Sequence, residues 1–443
     1  MDRRRLPSVD QLVNELGHWP LPRALVVGVA RKVLDEARQN VGALEPKTAA
    51  EVALGELMTS RLRAVINATG VLLHTNLGRT PLAREAADAA RTAATSYVNL
   101  ELDLGSGARG KRGGSTLEQL AQLCEAEAAL AVNNNAAALV LSLAAVARER
   151  DVVVSRGELI EIGGSYRLPE IIAAGGARLL EVGTTNRTHL ADYVAALSVD
   201  TGAVLKVHTS NYRIAGFTAD VGVPDLGRLS AERGVPLIFD AGSGLLDERL
   251  PWLAGPPPSW IGQEPGVRQS LRAGANLVLF SGDKLFGGPQ AGIVVGEKEL
   301  VVQMARHPLA RAFRLDGPTL AALGATADMY ADGRGAEIPL WQMASSTYTD
   351  LERRASAVIT SAGIEAVIEE SNSVFGGGSI PGAMIPSPVI VIRSGTEEFF
   401  QQLLASRPPI LARRDGGGVL LDLRTVAPSD DPQVASVLAA LCR

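Results

Sequence analysis

Lys284 stands in the run Ser281-Gly282-Asp283-Lys284-Leu285-Phe286-Gly287-Gly288. Apolar stretches flank the run, Leu277-Val278-Leu279-Phe280 before it and Ile293-Val294-Val295 after it, and both read as buried strands. A lysine in a glycine-rich loop between buried strands is partly desolvated. Such an amine can lose its proton and condense with an aldehyde cofactor, and glycines let the backbone approach a ligand closely. Taken alone, the loop fits a surface lysine equally well. A second stretch separates the two readings. Val235-Pro236-Leu237-Ile238-Phe239-Asp240 is an apolar strand ending in an acid. Ligands of open α/β sheets bind at the carboxyl ends of strands, where Asp240 falls. Pyridoxal 5'-phosphate (PLP) needs a carboxylate on its pyridinium nitrogen, so that the ring remains an electron sink. Asp240 and Lys284, each at a strand end, meet that need together.

Other residues gather around this pair on chemical grounds. Asn133, Asn134 and Asn135 precede a helix expected over 139–150, where free N–H groups and the helix dipole favour a phosphate. Plain helix capping by asparagine is the competing reading. His208 ends a strand expected over 203–208 and either touches the cofactor or is satisfied locally. The segment 65–82 is dense in glycine and small polar residues and holds His74 and Arg79. It reads as a donor-rich approach to an active site, or as an entry loop with Thr80 capping a helix that starts at Pro81. Arg109, Lys111 and Arg112 form a basic, glycine-flanked loop suited to an anion or to solvent. Arg311 and Arg314, three apart, can share one face of a helix or turn.

The elements that must position these groups follow an α/β rhythm. Strands are expected near 151–154, 178–182, 203–208, 236–240, 277–280 and 293–295, alternating with helices such as 117–129 and 169–174. That pattern predicts a mostly parallel sheet with helices on both faces. Residues 1–60 read as a helical domain, with Ser8 capping one helix and a second over 24–44. Residues 61–330 read as the large α/β domain and 331–443 as a small α+β domain. The chain has 443 residues, 46% hydrophobic and 21% charged, as expected of a globular enzyme rather than a disordered chain. Its two cysteines make no metal-spaced cluster, so no metal site is expected. No apolar run is long enough to cross a membrane, and the basic start lacks a following apolar segment, so the cytoplasm is the expected compartment. The net charge of −5 gives no global support for nucleic-acid binding, although a basic face on one domain is compatible with it.

Five runs together resemble the bacterial selenocysteine synthase family. They are Ile66-Asn67-Ala68-Thr69-Gly70, His74-Thr75-Asn76-Leu77-Gly78-Arg79, Asn133-Asn134-Asn135-Ala136-Ala137, Gly183-Thr184-Thr185-Asn186-Arg187-Thr188 and Ser281-Gly282-Asp283-Lys284-Leu285. The resemblance spans nearly the whole chain. It implies a fold-type I PLP-dependent transferase that converts L-seryl-tRNA(Sec) to L-selenocysteinyl-tRNA(Sec), with selenophosphate as donor and a PLP-bound aminoacrylyl intermediate. It further implies that Lys284 anchors PLP and shuttles the proton, that Asp283 orients Lys284 or the leaving group or else caps the turn, and that Ser281 contacts the cofactor phosphate or else serves the turn. Arg311 and Arg314, with Arg79 as third member, would hold the selenium donor. Residues 1–60 would dock the tRNA, and the family forms homo-oligomeric rings of dimers. No side chain that stacks on the PLP ring stands out near Ser155-Arg156-Gly157-Glu158. Two other readings compete: a PLP-dependent lyase or aminotransferase acting on a small amino acid or amino sugar, and a degenerate PLP fold that only binds tRNA or serves as a scaffold.

Overall fold

The computed structural model describes residues 6–39, 45–163, 166–393 and 396–442. The chain forms two compact units, Met1–Val65 and Ile66–Arg443.

In the first unit, helices Val9–Glu15, Arg23–Gln39 and Pro46–Thr59 close around Leu12, Leu16, Ala30, Leu34 and Leu54. Ser8 caps the first helix through a reciprocal box with Gln11, which satisfies two otherwise orphaned N–H groups. The basic start at residues 1–5 and the expected helix end at 40–44 lie outside the described residues.

The second unit contains every strand named here: β1 (Ile66–Ala68), β2 (Ala128–Val132), β3 (Asp151–Ser155), β4 (Glu161–Ile162), β5 (Tyr166–Arg167), β6 (Arg178–Val182), β7 (Thr201–Val207), β8 (Leu237–Gly242), β9 (Leu277–Ser281), β10 (Gly292–Gly296), β11 (Val367–Val374), β12 (Met384–Ile392), β13 (Ile410–Asp415) and β14 (Gly418–Asp422). A seven-stranded sheet runs β2-β10-β9-β8-β7-β3-β6. Strands β9, β8, β7, β3 and β6 are parallel neighbours, and β10 is antiparallel to both β9 and β2. Central strands β7, β9 and β10 are buried along their full length, so their sequences are mostly apolar rather than alternating, with the buried Lys206 of β7 paired to Glu158. Alternate residues still serve opposite faces. Val204, Phe239, Val278 and Phe280 pack into one core, while Ala203, Leu205, Ile238 and Leu279 pack into the other.

Three helix boundaries differ from the sequence expectation. The helix expected over 117–129 spans Gly114–Cys124, because Glu125 takes a left-handed conformation and Ala128–Val132 pairs as β2 with β10. The helix expected from Pro81 starts at Arg84, with Ala83 rather than Thr80 at its cap position. The helix expected over 139–150 begins earlier, at Asn135, and ends at Val146.

The division expected near residue 330 falls inside the second unit. A five-stranded sheet, β1-β13-β14-β12-β11, draws on both ends of that unit. Its strand β1 lies parallel to β13, pairing Ile66, Asn67 and Ala68 with Ile410, Leu411 and Ala412. Asp422, fully buried at the end of β14, accepts hydrogen bonds from Ser373 and Ser387, which stitches β11 and β12 to it. No helix of the described residues is long and apolar enough to cross a membrane.

Candidate active site

The parallel strands deliver their carboxyl ends to one cleft. Its lining includes Arg79, Asn134, Asn135, His208, Ser210, Asp240, Ser281, Asp283, Lys284 and Gln290. Asp240 comes from β8, Ser281 from the end of β9, and His208 follows β7. Lys284 sits in the tight β9–β10 connection, closed by Gly282 N–H to Ala291 O and Leu285 N–H to Ser243 O, both at 2.8 Å.

Lys284 is only 7% exposed and Asp240 only 5%. Burial lowers the Lys284 amine below its usual range, and the positive charge of Arg79 pushes the same way. Burial raises the Asp240 carboxyl, against the Asn135 hydrogen bond and the attraction of Lys284. The two groups attract each other, yet desolvation is the larger cause for both and favours their neutral forms. Asn135 Nδ2 donates to Asp240 Oδ1 at 2.8 Å, while Asn135 Oδ1 is buried without a partner among the described residues.

Asn134 caps the helix Asn135–Val146, its side chain accepting from Ala137 N–H at 2.8 Å. Capping therefore holds for Asn134, and it leaves the first-turn amides of Asn135 and Ala136 as donors at a helix N-terminus. β10 reinforces this turn. A Cβ at Gly292 would lie 2.1 Å from Asn134 O, so only glycine lets the strand pass this close.

Arg79 adopts φ 71°, a left-handed conformation uncommon for a side-chain-bearing residue, and such outliers gather at functional sites. Its guanidinium donates to Thr75 Oγ1 at 2.6 Å and Gly377 O at 3.3 Å, and lies 3.8 Å from Asp283 Oδ2. Gly377 belongs to a glycine-rich connection between β11 and β12 that the sequence reading passed over. A Cβ on its neighbour Gly378 would lie 2.8 Å from Lys284 Nζ. The Gly376-Gly377-Gly378 run was the available signal.

Three expected residues are not brought to this cleft. His74 occupies the N-cap position of the short turn Thr75–Leu77 without a side-chain cap bond, its Nδ1 buried and unpartnered among the described residues and its basicity lowered by burial. Arg311 and Arg314 line a separate cleft with Glu101, Arg109 and Arg112. There Glu101 pairs with Arg112 at 3.1 Å and Arg109 at 2.9 Å, and Arg314 lies 3.8 Å from it.

The donor set fits PLP on the structure's own terms. A buried amine and a buried carboxylate share one cleft with an N-terminal helix turn, and Asn135 has an oxygen there with no partner among the described residues. Comparison with known proteins gives the same direction. Residues 65–427 match the family described as L-seryl-tRNA selenium transferase, and residues 3–38 match the selenocysteine synthase N-terminal family. The chain is 43% identical to the L-seryl-tRNA(Sec) selenium transferase of Solidesulfovibrio magneticus, covering 99% of this chain and 98% of that protein. It is 42% identical to the Rhizobium meliloti protein of the same name, covering 99% and 97%. Among solved structures it is similar to D-glucosaminate-6-phosphate ammonia-lyase, with a TM-score of 0.60, 21% identity and coverage of 86% of this chain and 96% of that one. This last likeness shows the expected α/β fold.

Proposed function

The chain belongs to the L-seryl-tRNA selenium transferase family, and from that premise we propose how its residues convert L-seryl-tRNA(Sec) to L-selenocysteinyl-tRNA(Sec). The cofactor is PLP, which when bound supplies an aldehyde that holds an amine and a pyridinium ring that accepts electrons released at Cα. Lys284 is the anchoring amine, poised by its lowered basicity to react while unprotonated. Asp240, oriented by Asn135, would hold the proton on the ring nitrogen. The first turn of helix Asn135–Val146 and the Ser281 hydroxyl receive the phosphate, with Asn134 shaping that turn. His208 contacts the cofactor from the end of β7.

With the seryl amine held in the cleft, Lys284 would be the free base that removes the α-proton. The same amine, now protonated, can hand that proton to the departing β-hydroxyl. Asp283, held by Arg79, keeps the amine aimed at this work. Arg79 also offers a guanidinium to the tetrahedral oxyanion of selenophosphate, a geometry that bidentate arginine suits. Arg311 and Arg314 complete that anion site. They line a different cleft of the same chain, so a ring of dimers, with one copy's arginines facing another's Lys284, is the assembly that unites them. His74 steadies the approach segment rather than touching substrate. The helical unit Met1–Val65 docks the tRNA, and the cytoplasm, where aminoacyl-tRNA is made, is the working compartment.

The observation that carries this reading is the buried Lys284–Asp240–Asn135 set in one cleft. A gel shift with seryl-tRNA(Sec) against seryl-tRNA(Ser), run at fixed salt because phosphate contacts are salt-dependent, tests its substrate half. Selective binding and selenocysteinyl-tRNA formation on addition of selenophosphate are expected. A bound-PLP absorbance band, absent in Lys284→Ala, is the expected sign of the cofactor half. A protein with the band but no affinity for either tRNA would be a small-substrate PLP lyase instead.

A further inference from the structure

Glu264 is a buried acid that the chemistry above leaves unused. Its side chain is only 2% exposed. One oxygen, Oε2, accepts two hydrogen bonds, from His208 Nε2 and from Ile380 N–H, each at 3.2 Å. The other oxygen, Oε1, is buried with no partner among the described residues. Holding a carboxylate in this way opposes folding, because burial strips it of water and one oxygen gains nothing in return.

The two donors belong to different parts of the unit. His208 follows β7 of the seven-stranded sheet and lines the cleft with Asp240 and Lys284. Its backbone N–H donates to Asp240 O at 2.9 Å, and its Nδ1 has no hydrogen-bond partner among the described residues. Ile380 lies in the connection between β11 and β12 of the five-stranded sheet. It takes φ 42°, a left-handed conformation that β-branched residues avoid. Strain of this kind persists only where the surroundings over-determine it. Gly378, two residues earlier, brings the backbone against Lys284 Nζ.

One carboxylate oxygen thus ties the imidazole to the loop over the lysine. An ionised acceptor requires the hydrogen on Nε2, which fixes the ring and leaves Nδ1 for a ligand. Carboxylates behind metal-bound histidines act by the same logic. We infer that Glu264 is a positioning residue of the cofactor site, locking the His208 ring and the 376–380 backbone together around Lys284. The inference rests on the PLP reading of the cleft.

Glu264→Gln keeps the shape and one acceptor but removes the charge. It is expected to shift the absorbance maximum of bound PLP and to lower kcat/KM about tenfold or more, within the range for lost outer-layer partners. The melting temperature of the apo protein should hold or rise. A purely structural role predicts the reverse, a lower melting temperature with an unmoved spectrum. Glu264→Ala should weaken PLP binding, measured by titrating the apo protein, by about tenfold. Adding Ile380→Gly, which accepts φ 42° without strain, should return part of that loss. An unmoved absorbance maximum with kcat/KM within about twofold of the parent overturns the inference alone, as does a double variant that recovers no affinity. A parent protein without the PLP band overturns the cofactor reading and this inference with it.

Discussion

Burial and one neighbouring arginine decide how Lys284 behaves. Burial lowers its basicity first, and the cation of Arg79 adds to that. Uptake of PLP by the apo protein needs the neutral amine, so its rate should rise with pH through the lowered pKa. Arg79→Ala removes a like charge, raises the amine's pKa and should move the rate–pH curve to higher pH. Stopped-flow absorbance reads this directly, and a curve that stays put or moves to lower pH refutes it. Asp240 gives the opposite sign. Its folded-state pKa lies above the unfolded value of 3.8, so the native state binds more protons between the two and stability falls as pH rises through that window. Asp240→Asn should therefore remove that fall of stability with pH in the apo protein, while weakening PLP binding. Thermal melts paired with PLP titration check both halves. The Lys284 and Asp240 pairing was legible because Asp240 lies late in β8 and Lys284 closely follows β9, each after an unmistakable apolar run. Glu264 was not, since its partners His208 and Ile380 lie far away in sequence and no local period marks a residue bonded across two sheets.

The β10 strand and the helix Asn135–Val146 meet through Gly292. A methyl group there would overlap Asn134 O, a backbone atom that cannot rotate aside. Gly292→Ala should cost about 1 to 3 kcal/mol, as overpacked sites do, and should weaken PLP binding by moving the first-turn amides. Urea unfolding and PLP titration measure the two effects, and unchanged PLP affinity would mean the turn does not hold the phosphate. The sequence reading found the asparagine run but extended the preceding helix into β2. Ala126-Glu127-Ala128-Ala129-Leu130-Ala131-Val132 favours helix by composition, and only its pairing with β10 makes part of it a strand. Arg311 and Arg314 were read as part of the lysine's site through the family resemblance, since their spacing reports a shared face and not which cleft that face lines.

Each compact unit has a hydrophobic core of its own, Leu12, Leu34 and Leu54 in the first and the packed sheets in the second. Deleting residues 1–65 should therefore leave PLP binding and the Lys284 absorbance band intact while abolishing selective binding of seryl-tRNA(Sec). A truncated protein that still shifts that tRNA would remove the first unit from docking. The parallel pairing of β1 with β13 has a consequence for biosynthesis. Strand β1 leaves the ribosome early, but its partner is made only near the end of the chain. At bacterial elongation speeds that interval is roughly twenty to seventy seconds. Lys284 emerges within it, ahead of the glycine run that will cover its amine. The nascent chain carries Lys284 uncovered until its last strands are threaded in, so completion of this cleft is tied to the end of translation.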